Sequence, residues 1–436
     1  MGISKIVTAI RQKFLGDAFS KSVAKLAGGA AIGQVLTLGA SPILARLYAP
    51  GDFGVLGVFA SITAIATMFA ALRYEQAIPL AESDDEAKDV ALLSFCVLVT
   101  FCAISFGFLS YTAWMGQSLV DGLSPGFMLL LPLSVFAGSM YRILVNLTIR
   151  AKDYGPIAAT KLYQSIGQVI VQLSAGFWSP HPLGLIAGFM VSQGGGSLTL
   201  FAKNKQKESL FQNASAASVR YVAKKYKEFP MVLSWAILLN SASMHLPGIL
   251  IAKYYGVGAA GLFYLSRRVL GAPMVLLRTS VSQVFLGEAS SLYREDPEKL
   301  KALLHSTSRK LLQMGCLVCI PAAVVSPYLF PLVFGPNWAM AGRITQILAL
   351  FQLCQFTVGP LMQILLIIGM RKAQLAVDII RFCVVVLSFY ITSFSDKGVL
   401  YALMIYVLAA SIYYGLNYLY ISTLLLNRAS HNENRS

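Results

Sequence analysis

Six arginines and two carboxylates fall inside stretches of this chain that are otherwise apolar: Arg73, Arg142, Arg267, Arg268, Arg278 and Arg381, with Glu75 and Asp378. An ionisable group in an apolar span is costly to bury, so it faces a hydrated interior, finds a partner or serves a function. A guanidinium offers a planar fork of donors suited to phosphate. Arg267 and Arg278 are eleven residues apart, three helical turns, so on one helix they point the same way, while Arg268 points about 100° aside. Arg278 and Arg142 have a second reading, in which their long side chains reach back to lipid headgroups.

The carboxylates suggest ion coupling. Glu75 is two residues from Arg73, which on a helix places them on nearly opposite faces and leaves Glu75 in need of another partner. Asp378 and Arg381 are three apart and can neutralise one another. Glu75 and Asp378 are therefore the candidates for binding a proton or sodium. Uncharged groups also align: Gln164, Gln168 and Gln172 run i, i+4, i+8, Gln352, Gln355 and Gln363 share a face, and Asn240, Ser241, Ser243 and His245 cluster. Such groups glue helices together or line a hydrated cavity suited to sugar hydroxyls. A lone His245 reads more simply as a bonded interior histidine than as a proton relay.

The elements that must position these residues follow from composition. The 436 residues are 56% hydrophobic and 12% charged, with mean hydropathy +0.66. A soluble domain carries about a quarter charged residues, so a soluble enzyme is excluded and the chain reads as an all-α integral membrane protein. The net charge of +16 does not point to nucleic acid, because the basic residues punctuate apolar runs instead of forming a patch. The cysteines, including Cys316 and Cys319, lie in apolar stretches and read as core. Neither GxxxxGK[ST] nor HExxH occurs, Gly194-Gly195-Gly196 reads as close helix packing, and no cofactor is expected.

Counting spans of roughly 20 residues gives twelve, near 26–48, 53–79, 90–114, 126–149, 156–178, 183–203, 229–252, 257–286, 306–332, 341–370, 373–394 and 398–426. The N-terminal 25 residues are basic and amphipathic and read as a cytoplasmic leader to a retained first span. With this count, 25 of the Lys and Arg residues fall on one side and four (Arg46, Lys253, Arg343, Lys397) on the other. The positive-inside rule then puts both termini in the cytoplasm.

Residues 43–61 align without a gap on 250–268, an offset of 207. Ala45, Tyr48, Gly51 and Gly54 match Ala252, Tyr255, Gly258 and Gly261, and Arg46 faces Lys253. The offset equals six spans, an even number, so the halves are parallel repeats related by an axis along the membrane normal. The expected organisation is a six-helix lobe over 1–205, a basic cytoplasmic connector over 206–228 lying on the lipid surface, and a second lobe over 229–430.

The block from Pro42 to Gly54 (PILARLYAPGDFG), the RYE-x-AI block from Arg73 to Ile78 and the acidic loop from Asp84 to Ala87 resemble the opening of the bacterial polysaccharide biosynthesis, or lipid-linked oligosaccharide flippase, family of the multidrug/oligosaccharidyl-lipid/polysaccharide exporter superfamily. The resemblance covers about the first hundred residues. It implies a twelve-helix, two-lobed transporter of the bacterial inner membrane with a cationic cavity. Its cargo would be undecaprenyl-diphosphate-linked sugar repeat units, moved to the periplasmic leaflet by alternating access and an ion gradient, beside other membrane proteins of glycan assembly. Of the candidate residues only Arg73 and Glu75 lie in matching motifs. The substrate-binding set expected is Arg267, Arg268, Arg278, Arg142, Arg73, Gln164 and Gln168. A cation-coupled small-molecule antiporter of the same superfamily is the alternative, and an arginine-lined cavity would repel its cationic substrates. An enzyme of glycan assembly is disfavoured, since every expected outer loop is short.

Overall fold

The structure is a computed structural model, and it describes residues 18–117, 120, 123–203, 215–295 and 297–433. The first 17 residues of the expected leader and the first part of the connector, with Lys205, lie outside the described residues.

In chain order the helices are α1 (Ala18–Gly39), α2 (Ser41–Leu47), α3 (Pro50–Phe69), a 3-10 turn (Tyr74–Leu80), α4 (Asp84–Trp114), α5 (Pro125–Met128), α6 (Leu131–Arg150), α7 (Tyr154–Trp178), α8 (Pro182–Gly194), α9 (Ser197–Lys203) and α10 (Ala216–Lys225). There follow a π-turn (Phe229–Leu233), α11 (Ser234–Tyr255), α12 (Val257–Glu295), α13 (Pro297–Phe334), α14 (Ala339–Val358), α15 (Ile364–Ile367), α16 (Arg371–Ser393) and α17 (Gly398–Glu433). Local chemistry sets many ends. Ser83 caps α4 by accepting from the Glu86 amide, and Asp84, Asp85 and Glu86 complement the helix dipole there. Proline opens α3, α5, α8 and α13 near their first positions, where its missing N–H costs nothing.

Among the described residues, ten segments are long and apolar enough to cross a membrane. The two other long helices, α7 with 25 residues and α12 with 39, are more polar. They hold the glutamine series and the Arg267, Arg268 and Arg278 trio. The sequence count of twelve includes both. Helices α12 and α13, of 39 and 38 residues, run about 58 Å each at 1.5 Å per residue, roughly twice an apolar core of about 30 Å. Residues 287–305, expected as a loop, are helical except at the undescribed position 296.

The second span differs in kind from its expectation. Helix α3 stops at Phe69, and Leu72 and Arg73 take left-handed φ values of 48° and 63° before the 3-10 turn. The triple glycine breaks α8 from α9 and packs closely. A Cβ on Gly194 would stand 2.7 Å from the Ala137 Cβ, and one on Gly196, at φ 93°, 2.6 Å from Thr160 Cβ.

The chain forms two compact units. The first gathers residues up to Leu44, Ile62–Leu119 and Ser124–Leu238, and the second gathers Ala45–Ser61, Val120–Leu123 and Leu239 onwards. The first has a core around Ile78, Val90, Leu98 and Leu144, the second one around Phe285, Leu361, Ile364 and Ile421.

Within the second unit the two aligned hairpins meet. A Cβ on Gly54 would lie 1.8 Å from the Val257 carbonyl oxygen, and one on Gly261 1.8 Å from the Pro50 carbonyl oxygen. Adding 207 to 50 and 54 gives 257 and 261, so the same contact occurs twice with its partners exchanged. An approximate two-fold relation between these two hairpins produces that reciprocity, and only glycine allows so close a crossing. Arg46, whose Nη2 and Nε donate to the Leu332 and Val333 carbonyls at 3.0 and 3.3 Å, satisfies the end of α13. Trp338 Nε1 donates to the Ala45 carbonyl at 2.7 Å and its ring meets Phe53 edge to face.

Candidate functional site

Two groups of buried and half-buried charge stand out, one in each unit. In the first unit the left-handed turn at Leu72 and Arg73 folds the Arg73 guanidinium back over its own chain. Its Nη1 lies 3.5 Å from Glu75 Oε1, with side-chain exposures of 8% and 4%. The expectation that the two residues face apart assumed a helix through residue 79; α3 ends ten residues earlier, and the turn makes them partners. The pairing is incomplete, since Arg73 Nε and Glu75 Oε2 have no hydrogen-bond partner.

Arg142 on α6 stands where it feels the charges of both Arg73 and Glu75, and its Nη1 donates to Met68 Sδ at 3.2 Å, a weak acceptor. The neighbouring Tyr141 ring lies 4.6 Å beneath the Lys161 ammonium of α7, and its hydroxyl bonds Thr160 at 2.9 Å. Lys161 Nζ donates to Gln164 Oε1 at 3.2 Å, while the buried Gln164 Nε2 finds no acceptor. The glutamine stripe is divided. Gln164 belongs to this cationic group, Gln168 is half-buried beyond it, and Gln172 donates to the Leu185 carbonyl at 2.9 Å, joining α7 to α8.

This turn is braced from behind. Tyr74 donates to the Ala223 carbonyl of α10 at 3.3 Å, and Lys225 reaches Glu82 and Glu86 at 2.9 and 2.6 Å. Those two carboxylates raise the Lys225 ammonium above its ordinary range. The end of the basic connector is thus bound to the acidic loop.

In the second unit, Arg267 Nη1 donates to the Met244 carbonyl of α11. Arg267 and Arg278, three turns apart on α12, both feel the charge of Arg381 and the hydroxyl of Tyr414. Arg268 is half-exposed on the adjoining face. Arg381 on α16 donates to Asn240 Oδ1 at 3.1 Å, and its guanidinium lies 5.9 Å from the centre of the Tyr414 ring, a cation–π contact. Gln355 donates to the Tyr414 hydroxyl at 3.2 Å. Asp378 accepts from Gln374 at 3.2 Å. The expected Asp378–Arg381 pair is therefore split: each sees the other's charge, but each bonds a neutral amide. A small cleft opens beside Arg267, Gln352 and Tyr406, and His245 lies near Arg267. No group of three or more His, Cys, Asp or Glu side chains placed for a metal occurs among the described residues.

Sequence reasoning missed Lys161, which it counted as a loop charge, although its position three residues before Gln164 puts it on the polar face. It also missed the tyrosines of α17. Tyr406 and Tyr414 are eight residues apart, and that spacing was a readable signal of one face.

Among the described residues, ten apolar segments together with polar long helices holding half-buried cations define a multi-pass helical membrane protein of transporter type. Solved structures agree on the fold. A multidrug resistance MATE family transporter of the MOP superfamily, in an inward-facing conformation, is 14% identical with TM-score 0.57, covering 92% of this chain and 94% of that one. A MOP superfamily transporter from Pyrococcus furiosus is 14% identical with TM-score 0.56, covering 93% and 95%.

The chain belongs to the polysaccharide biosynthesis protein family, whose model matches residues 43–342. It is similar to the lipopolysaccharide biosynthesis protein WzxC of Escherichia coli (strain K12), 26% identical over 245 residues, which are 55% of this chain and 46% of that protein. It is also similar to the succinoglycan biosynthesis transport protein ExoT of Rhizobium meliloti (strain 1021), 22% identical over 343 residues, 76% of this chain and 66% of that protein. The matches thus span about half to two thirds of those relatives.

Proposed function

We propose that this protein is a flippase that moves undecaprenyl-diphosphate-linked oligosaccharide repeat units from the cytoplasmic to the periplasmic leaflet of a bacterial inner membrane. The observation that carries the reading is the trio Arg267, Arg278 and Arg381. Among the described residues none of the three makes a contact ion pair with a carboxylate; the bonds of Arg267 and Arg381 go to a carbonyl and an amide oxygen. An array of guanidiniums without counter-ions in an apolar setting is matched by an oxyanion with several acceptors, and a diphosphate is one.

The trio holds the diphosphate, with Arg268 at its margin. Arg142, Arg73, Gln164 and Gln168 add charge and hydrogen bonds for the head group, while the isoprenoid tail remains in lipid. Twelve spans, α7 and α12 among them, form two six-helix lobes with both termini cytoplasmic, and the lobes alternate access. Glu75, with one oxygen unpaired, and Asp378, held by an amide, are the groups placed to take up a coupling ion. Transport, not bond-making, is the activity, and the net positive charge of both clusters weighs against a carrier of cationic drugs.

The test is reconstitution into liposomes with undecaprenyl-diphosphate-linked sugars, scoring appearance in the opposite leaflet with and without imposed proton or sodium gradients. The expected result is gradient-stimulated movement of the diphosphate-linked lipid. Movement no faster than in protein-free liposomes overturns the proposal.

A further inference from the structure

The second unit's arginines, Arg267, Arg278 and Arg381, together with Asp378, sum to a net charge of about +2 at neutral pH. A diphosphate linking two carbon groups carries two negative charges, so that cluster alone can balance it. The first unit holds a separate surplus of the same size, from Arg73, Arg142 and Lys161 against Glu75. One diphosphate occupies one cluster at a time. The other cluster calls for an anion of its own.

The geometry in the first unit says what kind. Arg73 is already engaged by the Glu75 carboxylate at 3.5 Å, whereas Lys161 pairs with no carboxylate among the described residues. Its Nζ gives one hydrogen bond, to Gln164 Oε1 at 3.2 Å, and an ammonium has three to give. That bond fixes the orientation of the Gln164 amide and leaves its Nε2 as the free donor. This nitrogen is buried and without a partner, on a side chain of a residue only 3% exposed. An ammonium held by one amide oxygen and the Tyr141 ring, beside an orphaned amide donor, still lacks an acceptor with two oxygens and a negative charge. The neighbouring Arg142, bonded to a thioether, adds positive charge and no acceptor.

We infer that Lys161 and Gln164 form a station for a carboxylate on the glycan, so that the cargo includes an acidic sugar, a uronic acid or a sugar bearing a carboxyl substituent. One carboxylate oxygen accepts from Lys161 Nζ and the other from Gln164 Nε2, while Arg142 balances the remaining charge. The inference rests on the flippase reading and specifies its substrate. It differs from an arrangement in which Lys161 only reaches toward lipid headgroups, because that role is blind to the sugar.

The experiment uses the full chain in liposomes with three undecaprenyl-diphosphate-linked disaccharides that end in glucose, glucuronic acid or glucuronic acid methyl ester. The unsubstituted protein moves the glucuronic acid lipid about tenfold faster than the other two, the effect of one charge-assisted bond. Lys161→Met draws that ratio toward one, and Lys161→Arg, which keeps the charge, retains part of it. Thermal melting in detergent shows that the Lys161→Met protein is folded. Equal rates for all three lipids, or a Lys161→Met protein that keeps the preference, overturn the acidic-sugar inference and leave the flippase reading standing. Failure to move any of the three overturns both.

Discussion

The two clusters solve one physical problem in different ways. In the first unit a guanidinium in an apolar setting is neutralised by a carboxylate two residues away, at the expense of a left-handed backbone. In the second, guanidiniums are held by groups that bear no charge: the Met244 carbonyl, the Asn240 amide and the Tyr414 ring. A carboxylate stabilises the charge by cancelling it. Neutral acceptors orient it and leave it for a ligand. The lesson is that proximity to a carboxylate, not depth in the chain, separates a closed cation from an available one.

That contrast can be broken most severely at Glu75. Glu75→Ala strands Arg73 beside Arg142, and removing one partner of a buried pair costs about 3 to 5 kcal/mol. The expected outcome is a large loss of folded protein, read as yield and melting temperature in detergent. The double change Arg73→Met with Glu75→Leu, which removes both charges, recovers most of the yield. If Glu75→Ala melts like the parent, the pair is not closed.

At Arg267 the expected effect is smaller on stability and falls on function. Arg267→Ala frees the Met244 carbonyl and removes no ion pair among the described residues, so yield stays close to the parent while flipping falls about a hundredfold, roughly 2.7 kcal/mol of lost charge-assisted contact. Arg267→Lys recovers only part, since an ammonium keeps the charge and loses the planar fork. An Arg267→Lys protein as active as the parent would show that charge alone suffices there.

Much of the fold was readable because apolar runs and the Lys/Arg alternation mark span ends, and because residues 42–54 and 73–78 resemble a known family. The α12 stripe was readable too, since spacing on a single helix fixes facing. The Arg73–Glu75 pair was not. Helix α3 ends at Phe69 in FAALRYEQ with no Gly or Pro to signal it, and the left-handed turn is imposed by packing of the fully buried Ala70, Ala77 and Ile78. Each such left-handed residue costs about 1 to 3 kcal/mol that local sequence does not announce. The split of Asp378 from Arg381 was hidden for a related reason: Asn240 and Tyr414 come from α11 and α17, far along the chain. The lengths of α12 and α13 escaped because polar helix beyond an apolar span looks like loop when only apolarity is counted.

The central claim is that the second unit's guanidiniums are built for a diphosphate. Its most direct test is equilibrium binding by the detergent-solubilised full chain of the same isoprenoid sugar presented as diphosphate or as monophosphate. The account predicts that the diphosphate binds about tenfold tighter or better, and that Arg278→Ala shrinks this difference. Equal affinity for the two lipids, or a difference that Arg278→Ala leaves unchanged, would contradict it.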